Sequence, residues 1–219
     1  RLGQGCQQRG TATSAQLLQL QADPARVQEL ARKIGEQSKR LDAMIEELLD
    51  TLSYQRGQRL PLALSQFDIL PLAQAVCGQV NLQQSGRCVL TGQSVTGWWC
   101  ENSLRRALEN LISNAVKYGD DSPIAVQVAH AHERMILTVH NRGHAIATEQ
   151  MARIFDYLRR DNHAPAPGWG IGLPFVQNVA ESHGGSVAVD SSPQAGTTFI
   201  LDLPIDCRPF VPAADSPRN

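Results

Sequence analysis

No stretch of this sequence is apolar for long enough to cross a bilayer, and none has the pattern of a signal peptide. An excess of charge is also missing, because 20 lysines and arginines face 21 acidic residues, for a formal net charge of -1 at pH 7. This balance gives no reason to expect a nucleic acid or an anionic membrane as a partner. Because the chain begins at Arg1 rather than at a methionine, we expect a cytoplasmic fragment of a longer protein, in which an upstream region could supply an inner-membrane anchor.

Paired cysteine motifs are absent as well. The five cysteines include no CxxC pair, and their number is odd. Both features disfavour a zinc site and a disulfide framework, and they favour reduced thiols in a cytoplasmic protein. The five are Cys6, Cys77, Cys88, Cys100 and Cys207.

The first part of the chain has a strong helical periodicity. Residues 25–56 are predicted to form one long helix, with a turn at Asp23-Pro24 and a shorter apolar stretch at 15–20 before it. These segments predict a helical hairpin, which exposes an apolar face and therefore needs a partner. A second copy of the chain is the simplest partner, so we expect a homodimer. The apolar seam of the long helix consists of Leu30, Ile34, Leu41, Ile45, Leu48 and Leu52.

The rest of the chain has mixed helical and strand patterns. Helices separated from a mostly antiparallel sheet are typical of the α+β class, arranged as a two-layer α/β sandwich with a mixed, mostly antiparallel sheet. We therefore divide the chain into a partial hairpin with its linker (1–60), an α+β domain (61–206) and a loose tail (207–219). Helices are predicted over 71–80, 102–118, 148–155 and 173–183, and strands over 89–91, 124–131, 135–139, 187–190 and 197–203.

The helix at 102–118 has a polar stripe separate from its apolar face. At about 100° per residue, Asn110, Asn114 and Lys117 lie close together, with Tyr118 at the edge. An amide oxygen is a hard ligand suited to Mg²⁺, and a lysine can bind phosphate as a point charge. For this helix taken alone, an ordinary solvated face explains the stripe better.

Two loops have the composition of ligand-binding turns. Directly after a predicted strand, the oxygen of Asn141 can accept a hydrogen bond from an exocyclic amine, and Gly143 leaves room for a flat ring near the backbone. Residues 168–173 read Gly-Trp-Gly-Ile-Gly-Leu and open a helix, which favours an anion site at the helix N-terminus. Residues 159–167 before it are polar and rich in helix breakers, as in a mobile lid. Each signal is weak by itself.

The order of these segments is more specific than any one of them. They resemble the N box, first Gly box, F box, second Gly box and closing strands of sensor histidine kinases, and the resemblance covers roughly residues 67–204. Glu-Glu-Leu-Leu-Asp at 46–50 resembles the second helix of the dimerisation module of that family. The segments are 110–118, 139–143, 154–160, 168–173, 184–187 and 196–199.

The resemblance implies the Bergerat-type ATP-binding fold of the gyrase, Hsp90, histidine kinase and MutL superfamily. It also implies ATP and Mg²⁺ as cofactors and the receiver domain of a response regulator as a partner. Asn114 would hold Mg²⁺, Asn110 would support the phosphates or the metal, Lys117 would bind phosphate, and Tyr118 would line the pocket.

The resemblance gives the remaining site residues in the same way. Asn141 stands where most of the family has an Asp that binds the adenine amino group, and Asn can still accept that bond. Gly143 and Ile146 would line the adenine pocket, and Thr197 or Thr198 would lie near the adenine-reading group. The phosphate side would be formed by Arg159 or Arg160 from the lid and by Gly168, Gly170, Gly172 and Leu173. Tyr157-Leu158 and His144-Ala145 depart from the common family residues, which leaves the packing of the lid and the constraint on the turn open.

Direct hydrolysis of ATP is disfavoured. The related hydrolysing enzymes use a Glu four residues before the metal-binding Asn, and that position here is Asn110, whose amide cannot act as a general base. Glu109 is adjacent but points about 100° away. Transfer to a protein side chain is therefore the expected reaction, catalysed by positioning and charge neutralisation.

A histidine that accepts the phosphoryl group is missing from the hairpin, because all six histidines lie between 130 and 183. We expect His183 at a helix C-terminus, where the dipole favours it. His130 and His132 are expected at the surface, and His140 and His144 in structural roles. For His163, exposure to solvent is favoured over contact with phosphate from the lid. The acceptor lies upstream of Arg1, or the protein has lost it.

Three functions remain open. The first is an ATP-dependent histidine kinase fragment, and the second is a non-catalytic module that regulates a partner kinase through its hairpin. A serine kinase of the anti-sigma type is a weaker third, because the long hairpin argues against it.

Overall fold

The computed structural model describes residues 26–35, 38, 60–151, 153–156 and 171–211. The chain divides into two compact units, residues 1–46 and 47–219. In the first unit, residues 26–35 are helical, as predicted, and Glu29 pairs with Lys33 at 2.8 Å. Val27, Leu30 and Ile34 are exposed there. The rest of the predicted hairpin and linker, up to residue 59, lies outside the described residues, and the division into domains stays a prediction.

The second unit is built on two sheets. A five-stranded sheet has the order β2-β4-β5-β7-β6, in which β2 is parallel to β4 and every other pair is antiparallel. A two-stranded antiparallel sheet pairs β1 with β3. The strands are β1 (Ser65–Asp68), β2 (Cys88–Gly92), β3 (Thr96–Trp99), β4 (Ile124–Ala131), β5 (Arg134–Asn141), β6 (Ser186–Ser192) and β7 (Gly196–Pro204).

The helices cover one face of the large sheet, which gives the two-layer sandwich that the sequence predicts. They are α1 (Ile69–Gln83), α2 (Glu101–Tyr118), α3 (Thr148–Met151) and α4 (Gly172–Ser182). α2 lies between α1 and α4 and contacts β4 and β5, while α4 contacts β6 and β7. The apolar stripe of α2 is at most 1% exposed and forms the centre of the core. It consists of Leu104, Leu108, Leu111, Ile112 and Ala115.

The β4–β5 hairpin shows why its strands can be predicted from the sequence. Buried and solvent-facing residues alternate along both strands, because successive side chains point to opposite faces of the sheet. His132 and Glu133 form the turn with φ of 49° and 57°. Two successive residues with positive φ match the twist of a two-residue hairpin turn. The turn lies between the two predicted strands, 124–131 and 135–139.

The structure corrects three expectations about the elements. β1 and β3 are absent from the predicted set, and both are four residues long. The predicted helix at 148–155 ends at Met151, since Arg153 and Asp156 donate backbone bonds to residues three positions earlier, as in turns. The tail predicted to be loose from 207 is packed at its start. Cys207 is fully buried and donates its thiol to the Trp98 carbonyl oxygen at 2.7 Å.

Among the described residues, no helix has an apolar stretch long enough to cross a membrane.

Candidate functional site

The predicted polar stripe of α2 lies beside the beginning of α4. Asn110 is half-buried and donates its Nδ2 to the Arg106 carbonyl oxygen at 3.0 Å. A Cβ at position 172 would stand 2.6 Å from Asn110 Oδ1. A side chain at 172 would therefore displace the end of the Asn110 side chain, and the contact joins two motifs that are far apart in the sequence.

The other members of the stripe follow Asn110 along α2. Asn114 is half-buried, whereas Lys117 and Tyr118 are exposed, with Tyr118 at 42%. Leu173 is partly buried against the core directly after Gly172. Within the described ranges, no cluster of three or more His, Cys, Asp or Glu side chains could hold a metal ion. The amide oxygen of Asn114 is a hard ligand that suits Mg²⁺, an ion that usually keeps several waters and binds substrate phosphates.

The C-terminal end of α2 is fixed to the loop that follows β5. Gly119 and Gly143 form an isolated antiparallel bridge, and the Asp120 N–H donates to the Arg142 carbonyl oxygen at 2.8 Å. Gly143 has a φ of +140°, and a Cβ there would lie 2.6 Å from the Tyr118 carbonyl oxygen. The close approach of this backbone is sufficient to explain the glycine. The bridge holds the predicted adenine loop against the predicted phosphate-binding helix.

Asn141 is the last residue of β5 and is only 5% exposed. Its Nδ2 donates to the Arg142 carbonyl oxygen at 3.0 Å. A carbonyl oxygen only accepts hydrogen bonds, so this contact fixes which end of the amide faces it. Oδ1 is then the end of the amide left to accept a bond from a ligand amine.

Strand register separates the two candidate threonines. Thr197 pairs with Asn141 in the β5–β7 ladder and is 4% exposed, so both side chains point to the buried face of the sheet. Thr198 pairs with His140, and its Oγ1 lies 2.9 Å from His140 Nδ1 on the opposite face. Of the pair left open by the sequence, Thr197 therefore shares a face with Asn141.

Ser191, which the sequence does not indicate as a site residue, contacts Thr197. Ser191 Oγ lies 2.7 Å from Thr197 Oγ1 and accepts a bond from the Ile146 N–H at 2.9 Å. The serine therefore links the predicted adenine loop to the two strands that carry Thr197. The sequence does not indicate this role, because it depends on the pairing of Ser191 with Thr197 in the β6–β7 register, and the predicted strand ends one residue earlier.

Glu109 lies on another side of α2. It lines a groove between α1 and α2 together with Gln79, Gln83 and Ser113. Burial raises the pKa of the Glu109 carboxyl, and the nearby Arg105 and Arg106 partly oppose this rise. This placement agrees with the expectation that Glu109 points away from Asn110.

His183 follows α4 at the predicted helix C-terminus and is fully buried. Its Nδ1 lies 2.7 Å from the Val179 carbonyl oxygen, and its Nε2 accepts the Cys100 N–H at 3.1 Å. These partners require a neutral ring with the proton on Nδ1, and burial lowers the pKa of His183. The position is confirmed, and the ring contacts a carbonyl oxygen of the last turn of α4 as a neutral group. His130 and His132 are exposed, as predicted.

Several predicted site residues lie outside the described residues. They are Arg159, Arg160, Gly168 and Gly170, together with His163 and the departures Tyr157 and Leu158.

Comparison with known proteins identifies the domain. The family of histidine kinase-, DNA gyrase B- and HSP90-like ATPases matches residues 100–206. The sensor-like histidine kinase SenX3 of Mycolicibacterium smegmatis is 31% identical over 190 residues, which cover 83% of this chain and 49% of that protein. The chain carries the catalytic domain of a sensor histidine kinase.

Other histidine kinases give the same result. The sensor protein IrlS of Burkholderia pseudomallei is 33% identical over 174 residues, covering 75% of this chain and 37% of that protein. The structure of full-length ShkA in complex with AMPPNP shares the fold, with a TM-score of 0.62 at 24% identity over 74% of this chain and 36% of that one. This histidine kinase chain spans about half or less of the length of these curated relatives.

Proposed function

We propose that this chain supplies the phosphoryl group in an ATP-dependent protein-histidine kinase of a two-component system. The contact of Asn110 with Gly172 carries the proposal, because it places the polar stripe of α2 at the N-terminal end of α4. The unpaired N–H groups of a helix N-terminus attract phosphate, and the carboxamides and lysine of the stripe suit a metal-bound phosphate chain.

The residues divide into two parts. At the phosphate end, Asn114 would hold Mg²⁺ through its amide oxygen, with Asn110 and Lys117 contacting phosphate oxygens, and Mg²⁺ neutralises phosphate charge when bound. At the adenine end, Asn141 Oδ1 accepts a bond from the amino group, and the Thr197–Ser191 pair lies beside it. The Gly119–Gly143 bridge sets the distance between the two parts. The structure of ShkA with AMPPNP supports a nucleotide at such a site.

The choice between hydrolysis and phosphoryl transfer depends on which side chains near the phosphate end could act as a general base. Asn110 cannot remove a proton from water, and Glu109 lines the groove between α1 and α2. We therefore propose transfer to an acceptor histidine that is not present in this chain, and then to the receiver domain of a response regulator. The homodimer through the helical hairpin belongs to the same proposal.

Nucleotide binding tests the proposal directly. Calorimetric titration with Mg·ATP is expected to show binding that is lost in Asn114→Ala, while the circular dichroism spectrum and melting temperature stay close to those of the parent. Ser113→Ala is the matched control, because Ser113 is exposed and lines the α1–α2 groove. Equal affinity of the two variants for Mg·ATP would show that Asn114 is not part of the site.

The reaction needs a separate measurement. We expect the chain to bind Mg·ATP without releasing inorganic phosphate, because Asn110 stands at the position of the general base. Steady release of phosphate would favour a hydrolase instead. Failure of the parent chain to bind Mg·ATP at all would favour the second function, a non-catalytic module that regulates a partner kinase.

A further inference from the structure

Two buried cysteines are in contact outside the nucleotide site. Cys77 lies on α1 and Cys88 begins β2, and each is 4% exposed. Their Sγ atoms are 2.9 Å apart, with the Cys88 thiol donating to Cys77. The pair is not a CxxC motif, so only the fold brings the two sulfurs together.

The local backbone holds this contact in place. One turn after Cys77, the Asn81 carboxamide bonds both backbone groups of Cys88. It accepts from the Cys88 N–H and donates to the Cys88 carbonyl oxygen, at 2.8 Å each. Gly86, with a φ of +70°, lies in the short turn that returns the chain from α1 to β2. Because the first residue of β2 is fixed against α1, joining the sulfurs requires little backbone movement.

We propose that Cys77 and Cys88 are an oxidative modification site, at which a peroxide-class oxidant forms an intramolecular disulfide. The Cys77 thiolate attacks one oxygen of hydrogen peroxide, the O–O bond breaks, and a sulfenic acid and hydroxide result. The Cys88 sulfur then attacks the Cys77 sulfur and displaces its oxygen as water, which carries the proton from Cys88. In total, two thiols and one peroxide give one disulfide and two waters.

The hydrogen bond assigns the two roles. Donation from Cys88 lowers the pKa of the Cys77 thiol, and the same bond together with burial raises the pKa of Cys88. Cys77 is therefore the thiol that ionises and attacks first. Residues 82–86, between the two cysteines in the chain, are exposed.

The other described cysteines lack this arrangement. Cys207 donates its thiol to the Trp98 carbonyl oxygen, and burial raises its pKa to about 12. Cys207 is thus a matched control, being a buried thiol whose partner is a carbonyl oxygen. Because α1 packs against α2, the disulfide would join β2 covalently to a helix of the core. It would also restrict the conformations of the unfolded chain, which stabilises the fold.

The test is an intact-mass and peptide-mapping experiment on the whole chain. Hydrogen peroxide is expected to lower the mass by about 2 Da per chain through loss of two hydrogens, and non-reducing peptides are expected to link Cys77 to Cys88. A chemical reductant should reverse the link, and the melting temperature of the oxidised chain should rise by about 5 °C. Cys207→Ser is expected to retain the link, and Cys88→Ser to lose it.

Two results would overturn the proposal. One is a link that involves Cys6, Cys100 or Cys207 in the parent chain. The other is oxidation of Cys77 to higher acids with no Cys77–Cys88 peptide. The map of the unmutated chain decides this even if a variant does not fold, and it does not depend on nucleotide binding.

Discussion

The Asn110 carboxamide occupies the space that a side chain at position 172 would need, with Oδ1 only 2.6 Å from the place of a Cβ. The backbone at Gly172 is not in the left-handed region, so the effect of a side chain there is steric rather than conformational. A helix N-terminus and a carboxamide that approach this closely can act on the same phosphate group.

Gly172→Ala tests this contact. The new methyl group would push Asn110 away from the Arg106 carbonyl, at a stability cost of about 1 kcal/mol for the lost hydrogen bond. We expect the affinity for Mg·ATP, measured by calorimetry, to fall at least about tenfold, the change that corresponds to 1.4 kcal/mol.

Gly78→Ala is the matched control for this substitution. Gly78 lies in α1, and nothing is within 4 Å of a Cβ added there. Alanine should stabilise that helix by about 0.5–1 kcal/mol without changing the affinity. Equal affinities in the two variants would show that the Asn110–Gly172 contact is not part of the nucleotide site.

The elements that could be predicted are those whose burial follows a simple period. The stripe of α2 and the alternation of β4 and β5 are local patterns, and the structure gives them bounds close to the predicted ones. β3 could not be found in this way, because Trp98 and Trp99 are adjacent and large, and no alternation marks a strand. Trp99 is fully buried, and its Nε1 donates to the Pro204 carbonyl oxygen in a distant part of the chain.

The site was predictable to a similar extent. The sequence indicates Asn110 and Gly172 separately, and only packing shows that they touch. It leaves Thr197 and Thr198 as alternatives, because a shift of one residue in register reverses the face of the sheet. Ser191 is missed for the same reason, since its role depends on its ladder position opposite Thr197.

Ser191→Ala is expected to weaken the adenine side of the site. The substitution removes the acceptor of the Ile146 N–H and the partner of the Thr197 hydroxyl. An unsatisfied group of this kind costs about 1–3 kcal/mol. We expect the affinity for ATP to fall several-fold and the preference for ATP over GTP to narrow, as measured by displacement of a fluorescent nucleotide.

The control for Ser191→Ala comes from the same strand. Ser186 is exposed at the other end of β6, so Ser186→Ala should leave both the affinity and the preference unchanged. A Ser191→Ala variant with normal affinity and preference would mean that the hydroxyl pair does not contribute to nucleotide recognition.

His183 is expected to make stability depend on pH. Its folded-state pKa is lowered, so the unfolded chain binds the proton first as the pH falls. The stabilisation is therefore complete above about pH 6.5, the ordinary value for histidine, and is lost below it. Protonation of Nε2 would set an N–H against the Cys100 N–H, because Nδ1 already donates to Val179. The free energy of unfolding should then fall with a slope approaching about 1.4 kcal/mol per pH unit.

Urea unfolding between pH 7.5 and 5.5, on the order of one unit to either side of the unfolded-state pKa, measures this dependence. His183→Gln keeps a side chain that can donate and accept but does not titrate in this range, so its stability should be lower at neutral pH and less dependent on pH. His130→Gln, at an exposed position, should retain the parent dependence. If His183→Gln shows the parent slope, the acid sensitivity belongs to other groups, and the neutral ring between α4 and the start of α2 is not its cause.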